Sequence, residues 1–146
     1  MTVAVKPLIA YVEDDDVIRQ NFTELFEKDG YKVEAISSYE SALASFESIN
    51  PDIFILDIEL GDRARGGLDL CQMVRRRLPD RPIILLTSHD QLELQTKGWE
   101  LGADDYVPKD ISLKLILVRI RTLISRYQML TFHIKNDEKL SNNVDI

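Results

Sequence analysis

Five short apolar runs punctuate the chain, at residues 8–12, 31–36, 52–56, 82–87 and 103–107, and between them the apolar positions recur three and four residues apart. Each run is read as a strand buried on both faces of a parallel sheet, because such strands are continuously apolar. The segments between them predict amphipathic helices. Ile18, Phe22, Leu25 and Phe26 share one helical face, closed by Gly30. A second helix is expected from about 39 to 48, stopped by Asn50-Pro51, and a third from 67 to 78, stopped by Pro79. A fourth, about 91 to 101, ends at Gly102, and a fifth runs from 112 to about 128. Five strand–helix pairs predict an α/β fold with a doubly wound parallel sheet. The polar stretch 135–146 has no sustained period, so little order is expected there.

Composition narrows this picture. At 146 residues and 45% hydrophobic, the chain predicts one domain, residues 1–128, followed by a tail or linker at 129–146. A formal charge of −7 argues against this piece gripping nucleic acid by itself, since phosphate neutralisation needs clustered Lys and Arg. The short run Arg75-Arg76-Arg77 is read as a solvated helix end. Cys71 is the only cysteine, which excludes an internal disulfide, and its spacing from Leu68, Val74 and Leu78 predicts a buried thiol. No stretch reaches the ~18 apolar residues of a membrane span and no charged-then-apolar leader opens the chain, so a reducing cytoplasm and no membrane partner are expected.

The polar residues that end the runs carry the chemistry. In a parallel sheet the carboxyl ends of the strands lie along one edge, where residues distant in sequence converge. Glu13-Asp14-Asp15-Asp16 follows the first run, Asp57 the third and Lys109 the fifth. Carboxylates plus one lysine fit a divalent cation and a phosphoryl group. A nucleotide- or flavin-binding sheet would need a Gly- or Ser/Thr-rich loop after the first strand, whereas this acidic loop repels an anion unless a cation intervenes. The competing reading is that the acids only cap a helix beginning near Val17.

Val12-Glu13-Asp14, Leu56-Asp57, Leu86-Thr87-Ser88 and the run from Gly102 through Ala103, Asp104, Asp105, Tyr106, Val107 and Pro108 to Lys109 resemble the receiver domain of two-component response regulators. The resemblance covers residues 7–128. It implies a sheet of order 2-1-3-4-5, with Asp57 as phosphoacceptor for a sensor histidine kinase. It further implies Mg²⁺ held by Glu13, Asp14, Asp57 and the backbone carbonyl of Glu59. Thr87 would bond the phosphoryl oxygen, Lys109 would pair with it, and Tyr106 would be an aromatic switch that rotates inward.

Within that family the sequence is most like regulators carrying a winged-helix DNA-binding effector, which control transcription and dimerise through the fourth helix, fifth strand and fifth helix. The matching charges are Asp105 with Arg119 and Asp104 with Arg126, while a third pair is replaced by Gln95 and Leu115. The apolar sequence at 113 and 115–118 supplies an excess of hydrophobic surface, with Ile116 and Ile120 expected in the core. DNA would be reached only through an effector absent from this chain; a stand-alone receiver acting on protein partners is the alternative. An Asp-nucleophile phosphatase of the haloacid dehalogenase type fits poorly, because that family places its nucleophile after the first strand.

Three departures stand out. The loop after Asp57 is two residues longer than is common and has Gly61 where proline is usual. Asp110 replaces a proline that usually follows a cis bond, and a cis bond before a non-proline costs about 2.5–4 kcal/mol, so a trans bond that shifts Lys109 is expected unless the surrounding structure enforces cis. His89 lies two positions after Thr87, where receivers tune dephosphorylation, although a solvent-facing loop role is the simpler expectation.

Overall fold

The apolar runs and helical stripes are realised as ten alternating elements. They are β1 (Leu8–Val12), α1 (Asp16–Lys28), β2 (Lys32–Ile36), α2 (Tyr39–Ser45), β3 (Ile53–Asp57), α3 (Gly66–Arg77), β4 (Ile83–Thr87), α4 (Leu92–Glu100), β5 (Asp105–Pro108) and α5 (Leu113–Asn143). The structure, a computed structural model, describes residues 5–88 and 92–143; His89 lies outside them. All strands pair in parallel in the order β2-β1-β3-β4-β5, as expected.

Alternate side chains of the sheet feed two cores. Ala10, Val12, Phe54, Leu56, Ile83 and Leu85 point toward α2, α3 and α4, against Ala42, Leu68, Val74 and Leu94. Ile9, Tyr11, Ile55, Ile84 and Leu86 point toward α1 and α5, against Phe22, Phe26, Ile116, Ile120 and Ile124. Burying each large apolar side chain contributes roughly 1.5–3 kcal/mol, and this fixes the register. Val12 consequently pairs with Ile36 and Leu56, Asp57 with Leu86, and Thr87 with Pro108. Cys71 is fully buried, and burial pushes its thiol up to about 11, so it is an inert part of the core.

Four sequence expectations need correction. β2 is an edge strand whose Lys32, Glu34 and Ala35 are exposed, so it is not buried on both faces. α5 does not stop near residue 128 but continues to Asn143. The segment from 113 to 143 contains no Gly or Pro, so helix propensity persists after the packing partner ends. Arg75 is not a solvated helix end like Arg76 and Arg77. Its guanidinium donates to the carbonyls of Gly102, Pro79 and Arg81 and to Asp104 Oδ2, tying the end of α3 to the starts of β4 and β5. Finally, the acidic cluster divides its work. Asp15 is the N-cap of α1, accepting from Ile18 N at 2.9 Å, and Asp16 pairs with Arg19, whereas Glu13 and Asp14 stay at the sheet edge. Among the described residues no helix is long and apolar enough to cross a membrane.

Candidate functional site

The strand register brings the ends of β1, β3, β4 and β5 to one edge. Glu13 follows β1 directly and is fully buried; its N–H donates to Ile36 O at 3.0 Å and its carbonyl accepts from Arg19 Nη1 at 2.9 Å, so the backbone there is pinned from both sides. Asp57 closes β3, also buried. Lys109 follows β5, and its N–H donates to Thr87 O at 2.7 Å. Its ammonium reaches Glu13 Oε1 at 2.5 Å and Asp57 Oδ2 at 3.1 Å. None of the described peptide bonds is cis, so Asp110 follows a trans bond, and Lys109 nevertheless reaches both carboxylates.

Glu13, Asp14 and Asp57 each offer a carboxylate oxygen, all within 4.8 Å of one another. The charge is poorly balanced. Burial pushes the Glu13 carboxyl well above the ordinary range, the adjacent Asp57 adds to this, and Lys109 offsets only part. Lys109 is pulled down by burial, but its two carboxylate contacts outweigh that and raise it. Glu13 Oε2 is buried without a hydrogen-bond partner. An orphaned buried carboxylate oxygen beside two more carboxylates is the donor set of a hard cation, and oxygen-rich sites of this kind suit Mg²⁺.

Thr87, at the end of β4, is buried, and Tyr106 lies 7% exposed within the core beneath α4. The conformation therefore already holds Tyr106 inward. Glu59 is exposed in the loop leading away from Asp57. On the opposite side of β5, Asp105 pairs with Arg119 at 2.7 Å within the same chain. Asp104 does not pair with Arg126 here. Its Oδ2 accepts from Arg75 and from Ile83 N, and its Oδ1 from Tyr127 Oη at 2.6 Å; burial, aided by this contact, pushes the Tyr127 phenol up to about 12. Leu113, Leu115 and Val118 are 54%, 40% and 44% exposed, while Ile116 and Ile120 are buried as expected.

Sequence reasoning missed Arg75, Arg63 and Gly67. The last packs so tightly that a Cβ there would lie 1.9 Å from the carbonyl oxygen of Asp57. The adjacent glycines 66 and 67, directly after the Asp57 loop, were the available signal.

Comparison with known proteins agrees with this geometry. The response regulator receiver domain family matches residues 9–121. Response regulator MprA of Mycolicibacterium vanbaalenii is 34% identical over 118 residues, 81% of this chain and 50% of that protein, so the chain spans about half the length of the relatives it matches. A CheY-like receiver domain from Methanospirillum hungatei superposes with a TM-score of 0.80 at 25% identity, over 86% of this chain and 98% of its own. NtrX from Brucella abortus, at 18% identity, shares the fold over 97% of this chain and 31% of its own, with a TM-score of 0.84 and an overlap long enough to take in the α5 extension. With a match over most of its length and every strand in the order this fold requires, the chain belongs to the response regulator receiver domain family.

Proposed function

We propose that Asp57 is the phosphoacceptor of a two-component pathway and takes its phosphoryl group from a phosphohistidine on a sensor kinase. The observation that carries this reading is the convergence of Lys109 with Glu13, Asp14 and Asp57 at the carboxyl edge of the sheet. An Asp57 oxygen attacks phosphorus in line as the bond to imidazole nitrogen breaks. Glu13, Asp14 and Asp57 would hold Mg²⁺, with the Glu59 carbonyl completing the protein ligands; the bound ion offsets the charge that otherwise separates a carboxylate from a phosphoryl group. Lys109 trades one of its carboxylate partners for a phosphoryl oxygen, and the Thr87 hydroxyl donates to a phosphoryl oxygen of the new acyl phosphate. Incubation with acetyl phosphate and Mg²⁺ tests this directly. The parent chain gains one phosphate by mass and Asp57→Asn gains none; equal labelling removes Asp57 from the role.

The output in this reading is dimerisation through α4, β5 and α5, with residues 1–128 as the receiver and 129–146 as the start of a link to a DNA-binding effector that controls transcription. The aligned stretch is only half the length of Response regulator MprA, which supports the link. Leu113, Leu115 and Val118 supply the apolar patch. The ionic pairs add little to its strength, because Asp105 and Arg119 already satisfy each other within one protomer, and Asp104 reaches Arg126 of a second copy only by adding to or exchanging its contacts with Arg75 and Tyr127. They set register instead. The pathway operates in the cytoplasm, where a kinase and an effector are both within reach.

A further inference from the structure

Residues 60–63, in the loop after Asp57, form a defined structure. Leu60 N donates to Arg63 O and Arg63 N to Leu60 O, each at 3.0 Å, closing a two-residue hairpin with Gly61 and Asp62 at its tip. Gly61 has φ +59°, the left-handed conformation that the first central position of a tight hairpin turn requires, which accounts for glycine at this point in the chain. The hairpin is held at two places besides its own backbone. Leu60 is buried in the core under α2 and α3, and Arg63 reaches across to the first turn of α2. There its guanidinium lies 4.1 Å over the Tyr39 ring and its Nε is 3.3 Å from Glu40 Oε1.

From this clasped position the Gly61 N–H donates to Asp14 Oδ2 at 3.0 Å. Asp14 needs such a restraint. Its side chain is exposed and the Asp57 carboxylate stands within 4.8 Å, so like-charge repulsion and hydration both favour swinging it out into water. With Oδ2 held by an amide, Asp14 keeps a carboxylate oxygen within 4.8 Å of those of Glu13 and Asp57. We propose that the 60–63 hairpin is a clasp that positions Asp14 for cation binding, with Arg63 as its positioning residue. The inference rests on the reading of Glu13, Asp14 and Asp57 as a divalent-cation site, and it assigns to the lengthened loop a role in setting that site's affinity.

Electrostatics and positioning predict opposite signs for the loss of Arg63. Removing a cation beside an anionic site tightens binding of Mg²⁺ through Coulomb attraction, whereas freeing the hairpin costs Asp14 its orientation and weakens it. Isothermal titration of the full chain with Mg²⁺, repeated with Mn²⁺, distinguishes them. Arg63→Ala is expected to bind either ion roughly threefold to tenfold more weakly, at or below the low end of losses seen when groups supporting metal ligands are removed. The Gly61 amide should also exchange with deuterium faster than in the parent. Arg63→Lys, which keeps a cation over Tyr39, recovers most of the affinity. Arg65→Ala, which removes the same charge from the same loop but whose partner is Glu93 on α4, stays within about twofold of the parent or binds more tightly. Equal or tighter binding by Arg63→Ala overturns the clasp, as does an equal loss in Arg65→Ala. Parental affinity in Asp14→Ala would instead overturn the cation site itself.

Discussion

Gly67→Ala isolates the contact on which the phosphoacceptor edge is built. Gly67 sits in the first turn of α3, donating its N–H to Ile58 O at 2.9 Å, so α3 begins directly against the end of β3. A Cβ at this position would lie 1.9 Å from Asp57 O, 2.6 Å from Asp57 C and 2.7 Å from Ile58 Cα, all backbone atoms, and separations under 3.0 Å are not tolerated. Helix start and strand end must therefore part by about an ångström. Placing extra atoms into a packed site costs about 1–3 kcal/mol, and the upper end applies here because the obstacles are main chain rather than pliable side chains. Alanine in place of glycine within a helix returns about 1 kcal/mol. The net expectation is a loss of about 2 kcal/mol, or roughly 5–8 °C in Tm for a chain of this size. Thermal unfolding followed by circular dichroism measures it. Gly66→Ala is the milder comparison and should cost less, since the atoms nearest its Cβ, those of Arg63 and Leu60, lie at 3.2–3.3 Å rather than under 3.0 Å. Phosphorylation of Gly67→Ala by acetyl phosphate should also slow, because the displaced atoms belong to Asp57. An unchanged or raised Tm refutes the argument, since without the clash the substitution stabilises.

Three further outcomes follow from the same geometry. Glu13 is raised by burial, so between the ordinary glutamate pKa of about 4.3 and its folded value the native state holds a proton that the unfolded chain releases. Stability of the metal-free protein therefore falls as pH rises through that window, and Glu13→Gln should flatten the dependence of Tm on pH between about 5 and 8; an unaltered slope would assign it to other groups. Arg75→Ala removes donors from the carbonyls of Gly102 and Arg81 and leaves the Asp104 carboxylate without its ion pair, which should cost about 2–4 kcal/mol in urea unfolding; a loss under about 1 kcal/mol would show that water replaces the guanidinium. Leu115→Glu should abolish association of the beryllofluoride-treated protein in sedimentation without lowering Tm, whereas Arg119→Asp should lower both, because Asp105 is its partner within the monomer.

The sheet was legible because burial on both faces leaves a continuous apolar run, and four of the five strands are of that kind. β2 was placed correctly but given the wrong environment: Lys32, Glu34 and Ala35 are exposed because nothing pairs beyond this strand. The chemistry was legible for a related reason. Glu13 and Asp57 stand immediately after apolar runs and Lys109 one residue beyond another, so a parallel sheet alone suffices to bring them together. Asp14 was legible as an acid but not in its restraint, since the Gly61 amide that holds it lies 47 residues away in a loop whose path no periodicity encodes.

Arg75 and the end of α5 were misread through one shared limit. Periodicity reports which face of a helix meets a core, and at both places the deciding interactions are elsewhere. Arg75 reads as the first of three helix-end arginines, yet it differs from Arg76 and Arg77 because its position on the last turn of α3 faces the carbonyls of Gly102 and Arg81. Those carbonyls belong to part-buried chain reversals, and a guanidinium with five donors is suited to answer several at once. At α5 the apolar stripe packs on the sheet as far as Ile124, and Tyr127 makes the last polar anchor, to Asp104. Beyond that point Met129, Leu130, Phe132, Ile134 and Leu140 are exposed, so no amphipathic signal marks a helix. What sustains it is the absence of any breaker and a run of residues with adequate propensity, joined to an already nucleated helix, to which each added residue contributes a hydrogen bond without repeating the cost of the first turn. Loss of the period therefore marked the end of the core at α5, not the end of the helix.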